Sequence, residues 1–157
     1  MDNATGELID AAEKDVKAAL RADASPAECE AMLATVYGFE LTRHSWKAVW
    51  LGPKIDKLYR SAMRKNPDSA RIHYLAGTGF MNAPLRFRDL EEEKQILLRA
   101  DELFAAAGDR IGGAKTCLKL GDLMAEQNDS EAAKQYYLRA LELQPDFAPA
   151  QRRLETQ

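Results

Sequence analysis

Apolar residues recur at intervals of three and four along nearly the whole chain, which is the period of an amphipathic helix. In the first such stretch, residues 5–22, Leu8, Val16 and Leu20 lie on one face. Similar stretches predict further helices at 26–42, 53–65, 70–81, 90–107, 115–126, 130–143 and 147–155. Strand-like alternation of apolar and polar residues is absent from the sequence. The pattern therefore predicts an all-α fold of about eight helices.

Turn and capping residues indicate where these helices begin and end. Ser25 and Pro26 should start the second helix, with Glu28 completing a capping box. The third helix is expected to begin at Gly52-Pro53, and the segment 109–113, which contains two glycines, is expected to be a connection.

Composition supports the helical interpretation and excludes two classes of partner. Alanine, leucine, glutamate, lysine and arginine are frequent, and these residues favour helix. The net charge is −3 with both signs mixed along the chain, so no basic block is available for nucleic acid. No apolar run reaches the roughly 20 residues that span a bilayer. Residues 1–15 are too polar for a signal peptide. We therefore expect a soluble protein, and two compartments stay open: the periplasm, for a precursor whose signal peptide was removed, and the cytoplasm.

Residues able to carry chemistry are few and scattered. His44 and His73 have no histidine or cysteine at a metal-ligand spacing. Cys29 and Cys117 are far apart in sequence and are interpreted as buried thiols, with a disulfide between them as the alternative. We therefore expect no catalytic residue, no cofactor and no metal site.

A repeat pattern is clearest in residues 114–147, a segment of 34 residues. We count Ala114 as position 1. Small or large apolar residues then occupy positions 7, 8, 20, 24 and 27, and a proline occupies position 32; these are Leu120, Gly121, Ala133, Tyr137, Ala140 and Pro145. The segment resembles one tetratricopeptide repeat, in which two antiparallel helices pack through such residues. Cys117 and Met124 depart from the usual tryptophan and tyrosine. The pattern predicts that Gly121 and Ala133 meet where the two helices approach most closely.

Two looser copies of the pattern lie upstream. One has Gly38 and Ala62, and the next has Gly77 and Ala100. These pairs are 24 and 23 positions apart, against the 19 of the pattern, so each repeat carries an insertion of four or five residues between its helices. The arrangement is similar to a group of three-repeat bacterial tetratricopeptide proteins that are often exported.

The resemblance implies a right-handed solenoid of helical hairpins in a single domain, residues 1–157. Its expected parts are an N-terminal helix at 1–24, repeats at 25–67, 68–113 and 114–147, and a capping helix at 148–157.

The resemblance also implies that positions 2, 5, 9 and 12 of each first helix line a concave groove for a partner. These positions hold Met32, Thr35, Phe39, Thr42, Arg71, Tyr74, Thr78, Met81, Lys115, Leu118, Asp122 and Ala125. Family members that clamp a terminal carboxylate have lysine at position 5 and asparagine at position 9, which this chain lacks. Phe39, Tyr74 and Met81 instead suit an apolar peptide or helix. The alternative is that Phe39 and Tyr74 only pack within the stack.

The two insertions form a second candidate surface, since stacking of neighbouring repeats should bring them to one edge. They carry aromatic and cationic residues, namely Arg43, His44, Trp46, Trp50, Arg86, Phe87 and Arg88. Such residues are typical of binding hot spots. The alternative is a small satellite core of Trp46, Trp50 and Phe87.

Together these observations predict a non-enzymatic scaffold that binds a protein or peptide through the groove, the insertion edge, or both. Two alternatives remain open. One is a self-assembling array that uses Phe147, Leu154 and the first helix as contacts. The other is an accessory protein that binds a small anion at Arg43, Arg86 and Arg88.

Overall fold

The computed structural model describes residues 3–22 and 25–156; parts of the predicted N-terminal segment (1–2 and 23–24) and residue 157 of the predicted capping helix lie outside this range. The described residues form helices and turns without any strand. In chain order the helices are α1 (Asn3–Arg21), α2 (Pro26–Arg43), α3 (Ala48–Lys65), α4 (Ala70–Met81), α5 (Leu90–Ala106), α6 (Arg110–Glu126), α7 (Ser130–Leu143) and α8 (Ala148–Glu155). The predicted all-α class with about eight helices is confirmed.

Four consecutive helices, α4 to α7, begin in the same way. The side chains of Ser69, Asp89, Asp109 and Asp129 each accept a hydrogen bond from the backbone N–H three residues later. This bond satisfies one of the backbone donors that the first turn of a helix leaves without a partner. The capping residues therefore fix where each helix starts.

The capping box predicted at the start of α2 is wrong. Ser25 has a left-handed backbone with φ of 48°, and its side chain makes no capping hydrogen bond. A capping hydroxyl reaches the following N–H groups from an extended backbone, which Ser25 does not adopt. Pro26 does occupy the start of the helix, as expected.

Two predicted helix boundaries are also wrong. Helix α3 begins at Ala48, so Pro53 lies inside it rather than at its start. Helix α6 begins at Arg110, so the glycines expected in a connection are helical. A Cβ on Gly112 would collide with the ring of Phe104, and a Cβ on Gly113 would lie 3.1 Å from Cδ1 of Leu143. These glycines therefore allow close packing and do not make a turn.

The chain forms two compact units, Met1–Asp68 and Ser69–Gln157, and each is described by itself. In the first unit α2 packs against both α1 and α3. Its core is built from residues of all three helices: Val16, Ala31, Leu33, Ala34, Tyr37, Ile55, Tyr59 and Ala62. The single domain expected from the repeat pattern stays a prediction.

In the second unit each helix from α4 to α8 packs on the next, and α4 also contacts α6. The core is centred on α6 and α7, with Leu97 of α5 and Ala150 of α8 completing it. Phe147 and Leu154 are partly buried against this core. Both residues thus have a structural role within the unit. Less of their apolar surface is therefore available for contacts between copies in a self-assembling array.

Glycines set the closest approach of paired helices in the second unit. A Cβ on Gly77 would lie 2.7 Å from Cδ2 of Leu97, and one on Gly121 would collide with the ring of Tyr137. The three atoms nearest to such a Cβ on Gly121 all belong to Tyr137, and the expected pairing of Gly121 with Ala133 stays a prediction. In the first unit Gly38 has nothing within 4 Å, and the fully buried small residues of α2 are Ala31 and Ala34. Gly38, the small residue of the first looser copy of the pattern, therefore does not set a close approach between helices.

The extra residues of the first two repeats take different forms. Between α2 and α3 only residues 44–47 are outside the α-helices, because both helices are long, with 18 residues each. Between α4 and α5 a real loop spans residues 82–89 and contains one short 3-10 turn. Only the second repeat carries an inserted loop of the kind expected.

Candidate functional site

A cleft of about 450 Å³ lies within the second unit, between the C-terminal halves of α4 and α6 and the last helix. Its lining comes from five parts of this unit: Thr78, Met81, Asn82, Lys119, Asp122, Ala125, Glu126, Tyr137, Arg153 and Thr156. The cleft has the volume of a small-ligand or peptide side-chain pocket.

The helical period explains why these residues share one cleft. Thr78 and Met81 are three residues apart on α4, and Asp122 and Ala125 are three apart on α6. Residues at this spacing are neighbours on one helix face. Because α4 and α6 are in contact, the two faces border the same space.

Asp122 is the most heavily bonded residue of the cleft. Its Oδ1 accepts hydrogen bonds from Nε of Arg153 at 2.7 Å and from the Tyr137 hydroxyl at 3.3 Å. Nζ of Lys119 lies 3.4 Å from Oδ2. Burial, and then the neighbouring Asp122 charge, raise the pKa of Tyr137 to about 12, so its hydroxyl remains a neutral donor. The hydrogen bond to Asp122 raises the pKa of Arg153. This network joins α6, α7 and α8 into one wall.

The remaining lining combines apolar and polar groups. Met81 and Ala125 offer apolar surface and Asn82 offers an amide group, whereas the hydroxyl oxygen of Thr78 is buried. Glu126 is half exposed and is ion-paired with Arg88 at 2.8 Å. A ligand with apolar side chains, hydrogen-bonding amides and charges of both signs would match this lining.

Solved structures with the same arrangement of helices identify the fold. The crystal structure of MamA matches with a TM-score of 0.64 and 19% identity, over 96% of this chain and 79% of that one. The N-terminal domain of stress-induced protein-1 (STI-1) from C. elegans matches with a TM-score of 0.60 and 18% identity, over 80% of this chain and 92% of that one. Both are tetratricopeptide-type proteins.

The chain has a tetratricopeptide repeat fold. The sequence resemblance is thereby confirmed at the level of the fold, which is all that identities below 25% can show. No sequence-family model matches the chain, and no curated protein does either.

In the tetratricopeptide frame the cleft contains groove positions 9 and 12 of two successive repeats. Thr78 and Met81 are these positions in the second repeat, and Asp122 and Ala125 are the same positions in the third. Four predicted groove residues of these repeats lie elsewhere. Arg71 and Lys115 are exposed outside the lining, Tyr74 packs its ring edgewise on Phe104, and Leu118 belongs to the core. Leu118 is thus not a surface contact, because it is only 9% exposed.

The predicted groove residues of the first repeat lie in the first unit. Thr35 is half buried, and its hydroxyl donates to the Ala31 carbonyl at 2.9 Å and lies 3.0 Å from the Tyr59 hydroxyl. Thr42 is exposed and donates to the carbonyl of Phe39. The Phe39 side chain is 58% exposed, so it remains available to a partner.

The insertion residues of the first repeat surround a half-buried carboxylate. Glu40 is bonded by Lys47, and the guanidinium of Arg43 and the ring of His44 lie within 3.7 Å and 3.9 Å of it. The hydrogen bond from Lys47 lowers the pKa of Glu40. Trp46 and Trp50 are not part of this cluster. Both side chains are largely exposed, so they do not form the satellite core considered as an alternative.

The insertion residues of the second repeat divide between the surface and the interior. Phe87 is 72% exposed, with the guanidinium of Arg86 4.7 Å above its ring. Arg88 is buried and forms an ion pair with the equally buried Glu93, with Nη2 to Oε2 at 2.6 Å. Its expected roles in partner binding and in anion binding are therefore wrong, because its donors are occupied inside the protein. The adjacency of the two insertions stays a prediction.

Several cleft residues were not found from the sequence. Lys119, Asn82 and Arg153 had no assigned role, and Tyr137 was assigned only to packing. The Arg153–Asp122 contact joins residues 31 positions apart on helices that are not consecutive. Extending the repeat register by 34 residues would have indicated Thr156, which is groove position 9 of a further repeat, but not Arg153, which is position 6.

The histidine and cysteine side chains considered as candidates for chemistry have environments typical of a structural role. His73 is buried, with Nδ1 3.0 Å from the Ser69 carbonyl oxygen. Within residues 3–22 and 25–156 no three histidine, cysteine or acidic side chains are grouped in a way that could hold a metal ion. In the same part of the chain, no helix has the length and apolarity needed to cross a membrane.

Cys117 should be inert to thiol reagents in the folded protein. It is fully buried beside Asp101, and burial, followed by the Asp101 charge, raises the pKa of its thiol to about 12. The reactive thiolate is therefore scarce at neutral pH. In a Cys29→Ala variant, which retains only Cys117, the reaction with a disulfide reagent should follow global unfolding, and urea should accelerate it. A rapid reaction without denaturant would contradict the buried environment.

Proposed function

We propose that this protein is a peptide-binding module whose cleft in the second unit holds a short segment of a partner protein. The observation that carries the proposal is that Thr78 and Met81 of one repeat line the same cleft as Asp122 and Ala125 of the next. The groove mode that the tetratricopeptide resemblance implies uses these same positions. The function proposed is binding, without a chemical step.

The lining supports a peptide rather than a flat protein surface as the ligand. A cleft of about 450 Å³ accommodates a few side chains and not a globular face. Met81 and Ala125 can contact an apolar side chain, while Asn82 can donate to and accept from a peptide backbone. Lys119 and Glu126 offer charges of opposite sign, so we expect a ligand of mixed charge around one apolar anchor.

Neither alternative is supported by a specific observation. Self-assembly was expected to use Phe147, Leu154 and the first helix, and of these Phe147 and Leu154 pack partly on the core of their own unit. Anion binding was expected to use Arg43, Arg86 and Arg88, but Arg88 is buried against Glu93 and the guanidinium of Arg43 lies 3.7 Å from Glu40. We therefore retain peptide binding as the proposal.

Filling the cleft should abolish peptide binding. Peptides selected from a displayed random library against the immobilised full chain would be synthesised, and their Kd measured by fluorescence anisotropy. Ala125→Trp places a large ring in the cleft from an exposed helix position. We expect it to weaken binding at least about tenfold, which corresponds to about 1.4 kcal/mol. Met81→Ala should weaken binding less, since it removes apolar contact but leaves the cleft open.

The matched control is Ala105→Trp, the same substitution at an exposed position of α5 that does not line the cleft. It should bind the selected peptides like the wild type. Circular dichroism would verify that both variants are folded. If the selected peptides bind the Ala125→Trp protein with unchanged Kd, the cleft is not the binding site and the proposal fails.

A further inference from the structure

The turn between α2 and α3 presents a cluster of exposed apolar side chains, here called the α2–α3 tip and defined as residues 44–53. Trp46, Val49 and Trp50 are 64%, 75% and 66% exposed. The two indole rings contact each other edge to face, with centroids 5.7 Å apart. Exposed tryptophans are unusual in a soluble domain, and together with Val49 they form a continuous apolar surface.

The helical period directs these side chains outward. Ile55, Tyr59 and Ala62 form the buried face of α3. Val49 and Trp50 are about one and a half turns before Ile55 and lie on the opposite face. The first unit therefore cannot bury Trp50 without rotating the whole of α3.

The stretch of sequence around this apolar surface has a positive net charge, in contrast to the rest of the chain. Residues 40–57 contain four cationic and two acidic side chains: Arg43, Lys47, Lys54, Lys57, Glu40 and Asp56. This stretch therefore carries +2, whereas the whole chain carries −3, which leaves −5 for the other residues. Lys54 and Lys57 are exposed on α3 close to the tip, and Nζ of Lys54 also donates a hydrogen bond to the Tyr37 hydroxyl at 2.9 Å. An anionic surface would be attracted to this end of the first unit and repelled by most of the remainder.

We propose that the α2–α3 tip docks on an anionic lipid surface. Tryptophan favours the headgroup region of a membrane, where its ring is apolar and its N–H can bond to water. Lysines beside such rings are attracted to acidic headgroups. The tip is a projecting turn and not a groove, which suits shallow entry into headgroups better than the capture of a peptide. The tip would lie in the interface, and no helix would cross the bilayer.

The sequence offers a direct probe of this contact, since Trp46 and Trp50 are its only tryptophans. Tryptophan fluorescence of the full chain therefore reports on the tip alone. Vesicles of phosphatidylcholine and phosphatidylglycerol in equal parts should shift the emission to shorter wavelength and protect it from acrylamide. Vesicles of phosphatidylcholine alone should do neither. About 0.5 M salt should reverse most of the effect, since it screens charges beyond a few ångströms.

Charge variants distinguish binding of vesicles through the tip from nonspecific electrostatic attraction of the whole chain. Lys54→Glu/Lys57→Glu should reduce the partition coefficient on anionic vesicles at least about tenfold, since it reverses two charges next to the surface. The control variant Lys134→Glu/Arg152→Glu changes the net charge by the same amount at exposed positions of the second unit. It should have the partition coefficient of the wild type. Equal loss in both variants would overturn the proposal. Unchanged tryptophan emission with anionic vesicles would also overturn the proposal. If polyglutamate shifts the emission and anionic vesicles do not, the tip binds an acidic protein partner and not a membrane.

Discussion

Replacing Arg88 by alanine is expected to lower the free energy of unfolding by about 3–5 kcal/mol, because it leaves a buried carboxylate without its counter-ion. The side chains of Arg88 and Glu93 are 5% and 2% exposed. Nε of Arg88 also donates to Glu93 Oε1 at 2.9 Å, so the two groups meet side by side. The hydrogen bond to Glu93 raises the pKa of Arg88, which remains charged at every accessible pH. Urea unfolding followed by circular dichroism measures the loss.

The paired replacement Arg88→Met/Glu93→Leu distinguishes the cost of an orphaned charge from the value of the ion pair itself. With both charges removed and similar volumes retained, stability should recover to within about 1–2 kcal/mol of the wild type. Lys17→Ala, which breaks the exposed pair of Lys17 with Glu13, should have little effect, since water replaces the lost partner. If Arg88→Ala costs less than about 1 kcal/mol, Glu93 has reached water or another partner, and the buried pair is not required.

Helices were predictable from the sequence because one period dominates the apolar pattern, whereas their ends depend on contacts made elsewhere. Asp89 and Asp129 cap helices where local chemistry predicts it. Gly112 and Gly113 indicated a turn, yet they are helical because Phe104 and Leu143 pack against them. Close packing and turn formation both select glycine, and the sequence does not distinguish these two uses.

The candidate site was predictable only where the repeat register determines it. Thr78, Met81 and Asp122 followed from groove positions that recur in each repeat. Arg88 was misassigned because an arginine in a loop is normally solvated, and its partner Glu93 belongs to the first turn of the next helix. Arg153 was missed because its contact with Asp122 depends on how α8 packs against the unit. Long-range pairs of this kind require the fold before they can be recognised.

Replacing Tyr137 by alanine should cost about 3–5 kcal/mol of stability, as expected when a large aromatic side chain is removed from a core. Tyr137 is 1% exposed, and its ring lies against Gly121 at the closest approach of α6 and α7. Its hydroxyl donates to Asp122, so the substitution also removes one bond of the cleft wall. Tyr137→Phe keeps the ring and should cost only about 1 kcal/mol, the usual net value of one hydrogen bond. Urea unfolding of both variants separates these two contributions.

A double-mutant cycle with Gly121→Val tests whether the ring and the glycine fit each other. In the wild type the added methyl groups meet the ring of Tyr137, so the valine should cost about 1–3 kcal/mol or more by overpacking. In the Tyr137→Ala background the same methyl groups enter the space that the ring has left, and the cost should fall or change sign. The coupling free energy should therefore be large and favourable, as for residues in direct contact. If Gly121→Val costs the same in both backgrounds, the glycine does not serve to admit the Tyr137 ring, and the packing proposed for this repeat is incorrect.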